Sequence, residues 1–417
     1  MATNLWNGDA APVAQIDLIT IASPTTNAAL TVTIGDKILA VAAPTTVADD
    51  AAAAIVAAWL GLSSSAWPEF AELTPAAIGS GSGQLTVTAN TAGQPFTIAV
   101  AISGSGTITH TTTTASAGPN DWNTAKNWSL GHVPESGEDI VFENSTAPVW
   151  YGLNQSAVAP ASLTIKASCA SPFGIGLSRT TGNAGYVQYR PTYLAIGPAT
   201  LDIGGGSGNG SGRIKIDVGT ANCATMIRGS GQTYDQGVPA VLIRGGGSAA
   251  TIAILKGVVG IAFFAEDTAT AASLTVSFTT NPGGDASVQC GAGFAVASVF
   301  QFGGSLLMAS GCTTFDQEGA KATATMTGTG SITTLTAGGT FSDQSTGTIT
   351  TATIRGVYDA RQLVAGKAIT NAVVLASGGE YHDPYARVTL SGGIRLDQCA
   401  PADVTLDLPL NRTYTFV

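Results

Sequence analysis

The sequence predicts a mainly β protein, with a small N-terminal α+β domain followed by a long parallel β-helix, or β-solenoid. Three observations carry that expectation. Only 11% of the residues are charged and 52 of 417 are glycine, whereas an average domain is roughly 25% charged. From about residue 145 onward, apolar segments of three to five residues alternate with Gly, Ser, Thr and Asn turns. Finally, Thr329-Gly330-Ser331-Ile332-Thr333-Thr334 returns as Thr346-Gly347-Thr348-Ile349-Thr350-Thr351, an offset of 17 residues.

Such short strands cannot bury their own apolar positions. Stacked coils can, because each backbone amide pairs with the next coil and the inward Ile, Val and Leu form one core. With roughly 20 residues per coil, the body at 145–417 holds about a dozen coils. The alternative is a string of β-sandwiches, but nothing repeats at the ~100-residue period that arrangement needs.

Residues 1–13 read as an arm carrying one exposed aromatic, Trp6. Residues 14–115 read as an α+β docking module. Weak alternation marks a strand at 14–21, and 28–34 with 37–42 forms a hairpin around Gly35-Asp36. Thr45, Thr46, Asp49 and Asp50 precede an alanine-rich run, which predicts a helix over 51–62. Ile55, Trp59 and Leu62 fall at i, i+4 and i+7 and define one buried face. Trp6 and Trp59 are the aromatic docking candidates of this part. Further strands are expected at 85–89 and 96–102, then a Thr-rich connector at 107–116.

A Trp-rich hinge or cap at 116–144 divides the chain. Trp122 and Trp128 are expected to cover the open end of the first coil, since an uncapped coil exposes apolar core and unpaired strand edge. Asn127, Pro134, Asp139 and Phe142 complete the cap candidates. In the body, apolar segments recur at 163–165, 193–196, 214–218, 241–243, 252–255, 274–276, 299–302, 332–335, 349–354, 373–375, 388–390 and 394–396.

Motifs of chemistry are missing where they would be legible. The three histidines, His110, His132 and His382, show no zinc spacing. The Gly/Ser tracts at 79–83, 204–212 and 229–231 lack the Gly-x-Ser-x-Gly order, and Gly204–Gly212 lacks the lysine of a phosphate loop and reads as a flexible loop. The five cysteines, Cys169, Cys223, Cys290, Cys312 and Cys399, are widely spaced and read as buried small hydrophobes. A solenoid glycosidase would need paired carboxylates. The candidates are Glu266-Asp267, Asp316 with Glu318, Asp343, Asp359, and Glu380 with Asp383, all in turn-like contexts; Asp359–Arg361 and Asp383–Arg387 read as salt bridges. Tyr186, Tyr189 and Tyr193, with Arg190 among them, could form a carbohydrate stripe, or pack an inserted loop. No catalytic group, cofactor or metal is expected.

The net charge is −10, the pI is near 4.6 and the basic residues are scattered. A nucleic-acid partner, which needs a basic stripe, is therefore not expected. No apolar run approaches the ~18 residues of a membrane helix, and the first residues lack the basic and apolar regions of a signal peptide.

The hinge resembles a pattern met in large β-helical surface proteins and phage structural proteins, Trp-x₄-Asn-Trp-Ser-x-Gly-x-x-Pro-x₄-Asp-x-x-Phe. It is carried here by Trp122, Asn127-Trp128-Ser129, Gly131, Pro134, Asp139 and Phe142. Residues 6–15, 29–37 and 85–97 are similar to the opening module of tailed-phage virion proteins. The resemblances touch residues 6–142. They imply a non-enzymatic virion protein, a capsid decoration (cement) or fibre protein, docked through its N-terminal module on a major capsid or tail protein. A homotrimer is expected, since cyclic symmetry would let three β-rods share lateral contacts, and the missing signal peptide agrees with synthesis in the host cytoplasm and release by lysis. A host glycan is a further candidate partner. Two other readings are a tailspike-like glycan-binding or depolymerising β-helix protein and a bacterial β-helical adhesin.

Overall fold

Two long parallel sheets run side by side through most of the chain. The computed structural model describes residues 2–79, 81–174, 191–232, 237–277, 286–409 and 414–417. One long sheet has 15 strands and the other 11, and successive strands of the chain enter them largely in alternation. Each turn of the chain therefore lays one strand on each face and returns above itself. This is a two-sheet β-solenoid of about a dozen rungs.

Register explains why the sequence reads as it does. On the larger sheet, one inward column runs Phe142, Ile165, Ile203, Ile227, Ile254 and Val276. It continues through Gln301 and Gln317 to Ala337, Ile354, Leu375 and Leu396. Every member from Phe142 to Leu375 is buried. The repeated motif lies on this sheet, with Ile332 beside Ile349 and Thr334 beside Thr351. Rung length varies around that 17-residue spacing: Val299 pairs with Phe315, and Thr225 with Ile252. Outward positions of the same strands stack hydroxyls, Thr251, Ser273, Ser298, Thr314, Thr334 and Thr351, one per rung. Neutral hydroxyls on this face account for part of the low charge.

The two glutamines do not break the column. Gln317 Nε2 donates to Gln301 Oε1 at 3.1 Å, and both amides reach backbone carbonyls at the next corner, including Thr323 O at 3.0 Å and Thr340 O at 3.2 Å. A buried amide is tolerable only when satisfied in this way.

Glycine marks where corners touch. A Cβ on Gly330 would collide with the backbone nitrogen of Gly311, and one on Gly347 with the carbonyl of Gly330. Gly311, Gly330 and Gly347 thus form one glycine corner down three rungs, which is why the repeat begins Thr-Gly. The Gly204–Gly212 tract is a loop, exposed over 206–209, that touches neighbouring rungs at some of its glycines. Additions at Gly204 and Gly208 would strike the carbonyls of Gly229 and Ala167. Gly330→Ala should destabilise by about 1–3 kcal/mol, the usual cost of overpacking. Gly378→Ala, at an open corner with φ +82, should show only the smaller cost of a left-handed backbone. Guanidinium unfolding of both variants checks this ordering.

The N-terminal segment differs from expectation. Thr3–Leu5 (β1) is not a free arm. It pairs in parallel with Asp139–Phe142 (β9), Thr3 beside Asp139 and Leu5 beside Val141, and so forms the terminal strand of the larger sheet. The α+β module is consequently inserted between the first strand of the solenoid and the second. Val13 and Ala117 pair where the chain leaves and re-enters.

Within the insertion, Ile16–Ala22 (β2), Ala29–Ile34 (β3) and Lys37–Ala42 (β4) lie close to their predicted places, followed by a helix at Ala48–Leu60 (α1) and a short one at Pro68–Ala71 (α2). Then come Leu73–Ala77 (β5), Gln84–Ala89 (β6), Ala99–Ile102 (β7) and Thr107–Thr114 (β8). The Thr-rich stretch is thus a strand, antiparallel to β2, rather than a connector. Threonine is a strand former, and alternation there is hidden because both faces are hydroxylated. The helix begins at Ala48, not 51, with Asp49 and Asp50 inside its first turn. The Asp49 carboxylate accepts the Gly83 and Gly81 amides at 2.6 and 2.5 Å, which lowers its pKa. The module has its own core, with Ile19, Leu30, Val32, Ile55, Trp59, Phe70 and Val87 in a cluster separate from the solenoid's.

All five cysteines are free; four are buried and Cys399 is half-buried. Burial pushes the thiols of Cys169, Cys223, Cys290 and Cys312 up, Cys312 to about 12. The native state then holds protons that the unfolded chain releases. For Cys312 the contribution is intact below about pH 9, the ordinary thiol value, and is lost as pH rises toward about 12; the other three act with the same sign. Within that window the loss for Cys312 is about 1.4 kcal/mol per pH unit. Between about pH 8 and about pH 10 under reductant, the guanidinium midpoint of the parent should fall relative to that of Cys312→Ala, which lacks this thiol, and a constant difference would contradict this burial. Among the described residues, no helix is long and apolar enough to cross a membrane.

Candidate functional site

The hinge residues meet at the start of the solenoid. Trp122 and Trp128 pack edge to face at 4.7 Å between ring centroids, and Trp6 packs on Trp128 at 5.1 Å. Phe142 touches all three indoles and leads, at 4.8 Å, to Phe173 in the next coil. All five rings are buried. Trp128 Nε1 donates to Trp122 O at 2.8 Å and Trp6 Nε1 to Ala147 O at 3.3 Å. Trp122 Nε1 is buried and has no partner among the described residues.

Polar side chains latch the arm to this aromatic cluster. Asn127 is fully buried; its Nδ2 donates to Gly118 O and Asp121 O at 2.8 Å, and its Oδ1 accepts the Ala10 amide at 2.9 Å. Asn4 is also fully buried and donates to His132 O at 3.1 Å. Pro134 is buried beside this turn, and Asp139 accepts the Ser162 hydroxyl at 2.5 Å across to the next rung. Asp121 is buried, which pushes its carboxyl up, while its Oδ1 accepts the Asn123 amide at 3.0 Å.

The docking candidates need correction. Trp6 is 2% exposed and Trp59 3% exposed. Trp6 belongs to the aromatic cap because β1 carries it there. Trp59 packs on Phe70 at 4.6 Å inside the module and donates to its carbonyl. Neither presents a surface to a partner. The large exposed apolar residues described in the module are Ile38, Val47, Leu60 and Ile78.

The candidate acids fall at unrelated places. Asp267 accepts the Tyr193 hydroxyl at 2.7 Å and Arg244 Nη1 at 3.1 Å; Arg244 also binds Asp217 and covers the Tyr193 ring. Burial and then Asp267 raise the Tyr193 pKa. Asp343 occupies an inward column of the smaller sheet, after Cys290, Met308 and Met326. It accepts Lys367 Nζ at 2.6 Å and the Tyr358 hydroxyl at 2.7 Å, and its other oxygen accepts Ser345. Tyr358 stacks on Tyr381 at 5.2 Å and on Phe341 at 6.0 Å, an aromatic ladder in the neighbouring column. Asp359 does hold Arg361. Asp383, however, accepts the backbone amides of Arg387 and Val388, and the Arg387 guanidinium donates instead to Leu363 O. His382 bonds Glu380 at 3.1 Å. Tyr186, Tyr189 and Arg190 lie outside the described residues.

A feature absent from the sequence reading lies beside the cap. A cleft of about 350 Å³ opens between the inserted module and the first coils. The module contributes Phe96 and Thr97, and the coil contributes Asn123, Trp150, Tyr151 and Asn154. The signal was the adjacent pair Trp150-Tyr151 before Gly152; the pairing of two distant segments hid it. Comparison with known protein families, with characterised proteins and with solved structures gives no match.

Proposed function

We propose that this chain is a non-enzymatic structural protein of a tailed-phage virion, a capsid decoration or fibre component, carrying its inserted module as the attachment element. The observation behind the reading is the way the rod begins. Its first strand precedes the module, its second follows, and an aromatic cluster clamps both. A domain held at one end of a rigid ladder by two chain crossings is suited to transmit load between an anchor and a projection. Long parallel ladders also favour slow unfolding, the kind of stability a particle needs outside a cell. The hydroxyl column of the larger sheet, itself uncharged, offers a line for lateral packing of three copies about a cyclic axis.

The test is mass spectrometry and immunogold labelling of purified particles from the source that encodes the chain. The reading expects the protein in the particle, at a capsid or tail position. Its absence from particles, with recovery only on the host surface, would favour the adhesin reading instead. Light scattering should give three times 41.7 kDa.

A further inference from the structure

We propose that the cleft between the inserted module and the first coils binds a neutral saccharide. Its volume, about 350 Å³, lies within the ~300–1,000 Å³ of small-molecule sites. No Asp, Glu, Lys, Arg or His is among its described lining residues. A phosphate, carboxylate or amine would lose hydration there without a counter-charge from these described residues. What the walls offer is ring surface and neutral hydrogen-bonding groups.

Trp150 and Tyr151 lie edge to face at 6.4 Å on one wall, and Phe96 stands on the other. The Trp150 indole N–H is shielded and has no partner among the described residues, so this residue presents apolar ring carbon to a ligand rather than its N–H. Around the rings sit Asn123, Asn154 and Thr97, all exposed. The Asn123 oxygen is occupied by Gln155 Nε2 at 2.8 Å, and the Asn154 oxygen by the Ser156 hydroxyl at 2.8 Å. These bonds fix the two carboxamides and leave their Nδ2 donors without a partner among the described residues. Preset amide donors beside aromatic carbon match a pyranose, which has C–H faces to stack and hydroxyl oxygens to accept. A purely apolar ligand would strand those donors at a cost.

Gly152 keeps the site open and its amides placed. It adopts φ +66, and a Cβ there would strike Asp121 Oδ1 and crowd the Asn123 carboxamide. The site needs both parts of the chain, so it exists only because the module is inserted beside the cap.

The experiment titrates the whole protein with maltohexaose, cellohexaose, xylohexaose and tetra-N-acetylchitotetraose, reading tryptophan fluorescence and saturation-transfer NMR. Saturable binding of at least one of these is expected. Asn154→Ala, at an exposed site, and Trp150→Ala should each weaken it about tenfold or more, while Tyr385→Ala at the far end should not. Circular dichroism melts establish that the variants are folded, and Asn154→Ala carries the test if Trp150→Ala is not. Failure of all four sugars to bind, or binding unchanged in the folded variants, overturns the proposal. Either result leaves the virion reading intact, because that reading stands on particle composition.

Discussion

Replacing Trp128 with alanine should destabilise the first rungs by about 3–5 kcal/mol, the range for deleting a large buried ring. Trp128 contacts Trp6, Trp122 and Phe142 and is 2% exposed. Its loss leaves a cavity against three rings and removes the donor to Trp122 O. In a stacked array the damage is local, because each rung contacts mainly its neighbours. Hydrogen exchange should show lost protection in β1, β9 and Ser162–Ile165, while strands near Ile332 keep theirs. The module should also persist, since its core is separate. Trp59→Ala should do the reverse, loosening α1 and leaving the cap protected. Uniform loss of protection along the rod in Trp128→Ala would contradict the local account.

The second large effect concerns the ion pair inside the coil. Lys367 and Asp343 side chains are 1% and 0% exposed and 2.6 Å apart. Asp343→Leu strands a buried ammonium and should cost about 3–5 kcal/mol. Lys367→Met strands a carboxylate that retains only Tyr358 and Ser345, with a similar cost. The double variant Asp343→Leu/Lys367→Met should recover most of the loss, since an apolar pair replaces the charges without desolvation. The pH dependence has a definite sign. Burial lowers the Lys367 pKa and Asp343 opposes this. Between the lowered value and the ordinary 10.5, the unfolded chain holds more protons than the native one, so this group's contribution grows with rising pH. Without Asp343 the lowering deepens, so the deficit of Asp343→Leu relative to the parent should shrink as pH rises. Denaturant titrations at several pH values check both points; a double variant as unstable as the singles would refute the pairing.

The fold class was legible because the inward columns of the larger sheet are mostly Ile, Leu and Val, and because the Thr-Gly-x-Ile-Thr-Thr repeat preserves its register. Strands of the smaller sheet were harder to see. Ala286–Cys290, Ser305–Met308, Thr323–Met326 and Thr340–Asp343 mix Val288, Leu306 and Phe341 at inward places with Cys290, Met308, Ala324, Met326 and Asp343, so the apolar signal is diluted. The hinge residues were legible as a cluster from their spacing. The role of Trp6 was not, because its position depends on β1 pairing with a strand some 130 residues away, and local sequence carries no trace of that register. The cleft was hidden for the same reason, being made by two segments that only the insertion brings together. Asp343 looked like a turn residue since Ser345 follows it; its partner Lys367 lies a full rung further on.

The central claim is that the N-terminal strand is the first rung of the solenoid and the module an insertion behind it. Cysteines at Thr3 and Asp139, paired in register between β1 and β9, test it most directly. A Thr334/Thr351 cysteine pair on neighbouring rungs serves as the positive control. Adjacent parallel strands lie about 4.8 Å apart, within disulfide reach. Mild oxidation of the folded protein should close both bridges to similar extents, read by peptide mapping. Closure of the Thr334/Thr351 pair with the Thr3/Asp139 pair left reduced would show that the N-terminal segment is a free arm, and the account of the cap would fall with it.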